Sequence, residues 1–112
     1  MAQYQWADIE RLVNDPNATE IQRQETAKQL AGAWVQMTGQ VDDVSSSSYD
    51  SGLSVSMKCG AQSLLSDTWV EMRPDQKDVL LQYTKGSTLT VIARFKSHDS
   101  FGHRYTDGKV IR

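Results

Sequence analysis

The sequence predicts a mainly β chain in which five short strands close into a small barrel, two helices precede it, and one more helix lies between strands three and four. Three observations carry this reading. Near Gly32 the apolar spacing changes from three-and-four to two, which separates a helical lead-in from a β region. Gly39 interrupts the first strand, and a glycine inside a strand marks a bulge or sharp bend of the kind a small barrel needs. Pro74 opens a helical segment between two strand-like runs.

In the first element, Trp6, Ile9, Leu12 and Val13 recur at helical spacing and give one apolar face, which stops at the breaker cluster Asn14-Asp15-Pro16. Thr19-Glu20-Ile21-Gln22 has the form of a capping box, so a second helix starts there and runs to about Ala31, with Gly32 able to end it.

The strands follow by alternation. Trp34, Gln36, Thr38 and Gln40 fall opposite Val35, Met37 and Val41 in the first, and Leu53, Val55 and Met57 alternate with Ser54, Ser56 and Lys58 in the second. The third, Thr68 to Met72, sets Trp69 and Glu71 against Val70 and Met72. A helix is expected through the DQKDVLLQY stretch to Lys85-Gly86. The fourth strand is the clearest, with Leu89, Val91, Ala93 and Phe95 on one face and Thr88, Thr90, Ile92 and Arg94 on the other. After a turn-rich loop, RYTDGKVIR reads as a strand pair or a single bent strand around Asp107-Gly108.

This order, β–β–β–α–β–β behind two helices, is that of an OB-fold, a five-stranded Greek-key barrel. Residues 1–31 are expected to form a helical lead-in packed on the barrel and residues 32–112 the barrel itself, within a single domain, since half of 112 residues would struggle to bury a core. The stretch Gly32-Ala33-Trp34-Val35-Gln36-Met37-Thr38-Gly39-Gln40-Val41 resembles the first strand of the small bacterial OB-fold proteins grouped as tRNA-anticodon-binding-like. Lys85-Gly86-Ser87-Thr88-Leu89-Thr90-Val91 is similar to the way that family leads into strand four. The resemblance covers about residues 19 to 111 and departs at Ile92-Ala93-Arg94, where the family has a glycine. It implies the barrel; the family name reflects fold likeness and does not imply tRNA binding.

Hydrophobic residues at 38% and charged residues at 23% supply a packed interior without a disorder signature. A net charge of -2 and a pI of about 5.6 argue against tight, sequence-indifferent nucleic-acid binding, which draws on a basic surface. Lys58, Arg73, Arg94, Lys96, Arg104, Lys109 and Arg112 nevertheless gather cations in the C-terminal half, so a local basic strip is compatible with that balance. With neither a signal-like N-terminus nor a long apolar run, the expectation is a cytoplasmic chain that does not engage a membrane.

Little in the sequence points to chemistry. Cys59 is the only cysteine and reads as a small hydrophobe, so neither a disulfide nor a Cys-based metal site is expected. His98, Asp99 and His103 match no standard zinc spacing and read as exposed loop polar residues. Asp42, Asp43, Asp50 and Asp99 lack the pattern of a calcium loop. With no nucleophile elbow, phosphate-cradling glycine loop or HExxH motif, the expectation is a non-enzymatic protein without cofactor or metal.

Binding is what remains. An OB barrel binds through the loops joining strands one to two and four to five, here Val44 to Gly52 and Ser97 to His103. Tyr49 in the first and His98, Phe101 and His103 in the second, with Arg94 and Lys96 beside them, form the predicted contact surface. The acidic balance favours a protein partner, the chain acting as an inhibitor or adaptor of the kind a phage or plasmid could encode. A single-stranded nucleic acid is the second candidate partner, with Trp34 and Trp69 as stacking platforms if they lie outside the core, while Trp6 packs its helix on the barrel. Self-association through the apolar stripe of the N-terminal helices is a third expectation.

Overall fold

A computed structural model describes residues 2–46, 52–61 and 63–111. Its elements in chain order are β1 (Tyr4–Gln5), α1 (Trp6–Val13), α2 (Glu20–Leu30), β2 (Trp34–Ser46), β3 (Leu53–Lys58), β4 (Thr68–Met72), a short 3-10 turn (Pro74–Gln76) continuing into α3 (Lys77–Leu80), β5 (Thr88–Asp99) and β6 (Gly102–Val110). The strand order β1-β2-β3-β4-β6-β5, with β5 returning to β2, closes five strands into a barrel. Four of the barrel's pairings are antiparallel and β4–β6 is parallel. This is the OB-fold, and its first to fifth strands are β2 to β6.

The alternation in the sequence becomes the inside and outside of the barrel. Val35, Met37, Val41, Val55, Met57, Val70, Leu89, Val91, Ala93, Phe95 and Tyr105 are buried and fill it. Burying a side chain of this size is favourable by roughly 1.5–3 kcal/mol, so the apolar parity of each strand decides which way it faces. Gln76 plugs one end, its side-chain oxygen accepting from Val110 N at 3.0 Å.

β2 is shared between two neighbours. Its first half pairs with β5 from Trp34↔Arg94 to Gln40↔Thr88, and its second half pairs with β3 from Gln40↔Lys58 to Ser46↔Leu53. The bulge lies between Val41 and Asp43, beyond the glycine that was expected to mark it. Gly39 serves close approach instead: a Cβ there would run into the Lys58 carbonyl of β3. The start of β2 also carries β1, which runs parallel to it through Tyr4↔Val35 and Gln5↔Gln36.

The N-terminal helices pack on this barrel. Thr19 Oγ1 accepts from Gln22 N, and the Gln22 side-chain oxygen accepts from Thr19 N, so the expected capping box starts α2. Ile9 and Val13 are fully buried, and Trp6 stacks on His103 at 4.8 Å with its Nε1 donating to Thr68 Oγ1. The apolar stripe of α1 is therefore covered by its own chain, while Ile21 on α2 is 72% exposed.

Three boundaries differ from expectation. The helix after Pro74 ends at Leu80 instead of Lys85, and Leu81 beyond it is 72% exposed. The predicted loop Ser97 to His103 shrinks to a turn at Ser100 and Phe101, since β5 continues to Asp99 and β6 begins at Gly102. Asp99 Oδ1 closes that turn by accepting from the Phe101 and Gly102 amides. The last segment takes the second of its two expected forms, a single strand kinked at Asp107, whose φ is 56°.

Candidate functional site

One outer face of the barrel gathers aromatic rings and cations. Trp34 on β2 pairs with Arg94 on β5, Arg94 pairs with Thr106 on β6, and Arg104, two residues before Thr106, pairs with Trp69 on β4. Because residues two apart share a face, these side chains lie on one continuous outer surface across four strands. The Arg94 guanidinium stands 4.9 Å from the centre of the Trp34 ring, and Arg73, at the end of β4, reaches the same ring at 5.9 Å. Arg104 stands 4.8 Å over Trp69. Both tryptophans are half-buried and outside the core.

Two acids share this face. Lys96 Nζ lies 3.7 Å from Glu71 Oε1, and Arg104 Nε lies 3.2 Å from Asp99 Oδ2. The Phe101 amide holds the exposed Asp99 carboxyl below its ordinary pKa, with Arg104 adding to that effect. Among the described residues Arg73 and Arg94 have no acidic partner. The barrel thus presents two half-buried indole rings, each with a guanidinium laid against it, a cation–π arrangement that sets positive charge beside an aromatic surface.

A second feature is a cleft of about 430 Å³ between α1, the β3–β4 connection and the β5–β6 turn, lined in part by Trp6, Glu10, Asp67, His98, Asp99 and Phe101. Asp67 braces it by accepting from Cys59 N, Gly60 N, Ser63 Oγ and Thr68 Oγ1. Burial works against this carboxylate, but these donors together outweigh it and hold its pKa below the usual carboxyl value. The neighbouring Cys59 thiol is pushed up to about 12, chiefly by burial. Such a thiol is protonated at neutral pH and unreactive.

The structure corrects the predicted contact surface. Tyr49 and most of its loop lie outside the described residues. Arg94 and Lys96 are exposed on the outer face described above. Phe101 is 75% exposed at the tip of the β5–β6 turn, and His98 is half-buried at the cleft, edge-on to His103 at 5.4 Å. His103, expected in an exposed loop, is 0% exposed. It shares inward parity with Tyr105 on β6, and its Nδ1 lies 3.0 Å from the Tyr105 hydroxyl, so it belongs to the core and presents nothing to a partner. The parity of Trp34 and Trp69 was readable along each strand. Their arginine partners were not, because the pairings join residues 60 and 35 apart in the chain.

No protein-family model matches the chain, and no curated protein matches it. Two solved structures are similar. One is a proposed nucleic acid-binding lipoprotein from Klebsiella pneumoniae subsp. pneumoniae, at 14% identity and a TM-score of 0.72, covering 99% of this chain and 92% of that one. The other is RecG bound to a three-way DNA junction, at 16% identity and a TM-score of 0.49, covering 75% of this chain and 12% of that one. The first likeness is one of fold, and it extends over the N-terminal helices as well as the barrel. With no family model matching, the anticodon-binding-like resemblance stands at the level of the OB barrel.

Proposed function

We propose that the protein is a non-enzymatic OB-fold module that binds single-stranded nucleic acid on the face carrying Trp34 and Trp69. The observation that carries this reading is the pair of half-exposed indole rings, each under an arginine guanidinium, on one outer face of the barrel. Bases stacked on such platforms contribute roughly 1–3 kcal/mol each, and the guanidinium beside the ring meets the adjoining phosphate. The fold shared with a protein described as nucleic acid-binding supports the same direction. We rank this reading above the protein-partner reading drawn from the acidic net charge, because Arg73, Arg94 and Arg104 lie against the two rings on one face.

The test is tryptophan fluorescence with a twelve-nucleotide oligothymidylate at low salt. Quenching that saturates, and that Trp34→Ala and Trp69→Ala each weaken about tenfold, supports the reading. Saturating binding indifferent to both substitutions would move the site elsewhere, and absence of binding would end the proposal.

One observation keeps a protein partner as a second reading. Leu64, Leu65 and Phe101 are 88%, 80% and 75% exposed on the β3–β4 connection and the β5–β6 turn. A nuclease-resistant partner captured by the wild-type chain and lost with Phe101→Ala would favour it.

A further inference from the structure

We propose that Glu71 and Asp99 are selectivity residues of the nucleic-acid face: by pairing with Lys96 and Arg104 they withdraw cations from phosphate binding and make the site favour unstacked single strands over duplexes. This inference rests on the nucleic-acid reading above and goes beyond it in assigning a role to the two acids.

Four cations stand on or beside the face, Arg73, Arg94, Lys96 and Arg104. Lys96 faces Glu71 at 3.7 Å and Arg104 faces Asp99 at 3.2 Å, whereas Arg73 and Arg94 make no ion pair among the described residues, although Glu71 and Asp107 line the same pocket as Arg73. A duplex offers a protein dense charge but keeps its base faces stacked inside, so its affinity for a surface of this kind depends on how many phosphates are neutralised. A single strand offers base faces as well. The rings that receive them are separated by three strand-to-strand steps, from β2 through β5 and β6 to β4. At the usual strand spacing of about 4.8 Å that is a path of roughly 14 Å round the barrel wall. The two rings therefore serve separate bases of one short tract, and the four cations lie along the path between and beside them.

The acids leave the rings in place and subtract charge. For single strands the logarithm of the binding constant falls with the logarithm of salt by about 0.7 for each neutralised phosphate. With two cations available, affinity should drop about sevenfold between 50 and 200 mM salt; with all four, about fiftyfold. Glu71 lies on β4, two residues from Trp69, and Asp99 ends β5, the strand whose Arg94 pairs with Trp34.

The experiment compares wild type, Glu71→Gln and the double variant Glu71→Gln/Asp99→Asn on a twelve-nucleotide oligothymidylate and on a twelve-base-pair duplex, from 50 to 200 mM salt. Both substitutions keep the side chain's shape and an acceptor oxygen, so Asp99→Asn still allows the turn to close, and Glu71→Gln alone tests the idea without touching it. The expected result is a wild type that prefers the single strand with about sevenfold salt weakening, and variants that gain duplex affinity and steepen stepwise toward fiftyfold. Equal salt dependence in all three proteins, or a wild type that binds the duplex as well as the single strand, overturns the inference while the face itself stands. Failure of every protein to bind either probe at 50 mM overturns the nucleic-acid reading and this inference with it.

Discussion

His103 Nε2 lies 2.7 Å from Glu10 Oε2, tying the buried ring of β6 to helix α1. Nε2 is thus a buried nitrogen with a carboxylate beside it. Burial lowers the His103 pKa below 6.5, and Glu10 opposes that only in part; His98 adds to the lowering and Asp67 to the opposition. Above that value the ring is neutral in both folded and unfolded chains. Below it the unfolded chain takes up a proton that the folded chain resists, so stability falls as pH drops. Thermal unfolding between pH 8 and pH 5 should show a declining midpoint, and His103→Gln should flatten that decline while lowering the whole curve.

Trp6 should matter to the fold, and the two face tryptophans should not. Trp6 stacks on His103 and bonds Thr68, and its removal opens a cavity between α1 and the barrel. Trp6→Ala should cost about 3 kcal/mol in urea unfolding, whereas Trp34→Ala and Trp69→Ala, which lose only half-exposed contacts with arginine, should each cost under about 1 kcal/mol.

Asp67 is the brace of the β3–β4 connection. Asp67→Ala leaves the Cys59 and Gly60 amides without their acceptor and should destabilise the protein by about 3 kcal/mol. Since its folded pKa lies below the ordinary 3.8, the stabilisation is present above that value and is lost as acid protonates the folded carboxylate. Acid titration of wild type and variant should converge at the low-pH end.

Gly102 follows the β5–β6 turn with a φ of 146° and sits against the Asp67 backbone, whose carbonyl accepts from His103 N at 2.9 Å. Gly102→Ala would put a Cβ into that backbone as well as strain φ, and should cost about 2 kcal/mol or more on chemical denaturation. It should also raise the alkylation rate of Cys59, which in the wild-type fold reacts slowly at pH 8 because its thiol stays protonated.

Much of this barrel could be read from single strands. Thr68–Met72 falls within the boundaries its alternation predicts, and the parity of β5 places Leu89, Val91, Ala93 and Phe95 inside without error. What escaped the sequence depended on partners distant in the chain. Polar residues after Lys96 looked like a loop because their pairing with Gly102–Arg104 across a two-residue turn is not written in either segment alone. His103 looked exposed for the same reason, although its parity with Tyr105 was a usable signal. Of the candidate face the sequence offered two tryptophans opposite the aliphatic parity, with their exposure left open, and a run of C-terminal cations; which arginine covers which ring, and which acids offset the rest, is set by register.

The division of β2 between two neighbours has a consequence for how the molecule is made. From Trp34 to Gln40 its hydrogen-bonding partner is Arg94 to Thr88, more than forty residues later in the chain. Contacts at that separation close late and slow the search for the native state. During synthesis β2 and β3 can meet as a hairpin, but Val35 and Met37 have no wall to pack against until β5 has emerged. The barrel closes only when its last strands arrive, and the newborn chain carries an unfinished apolar surface through most of its translation.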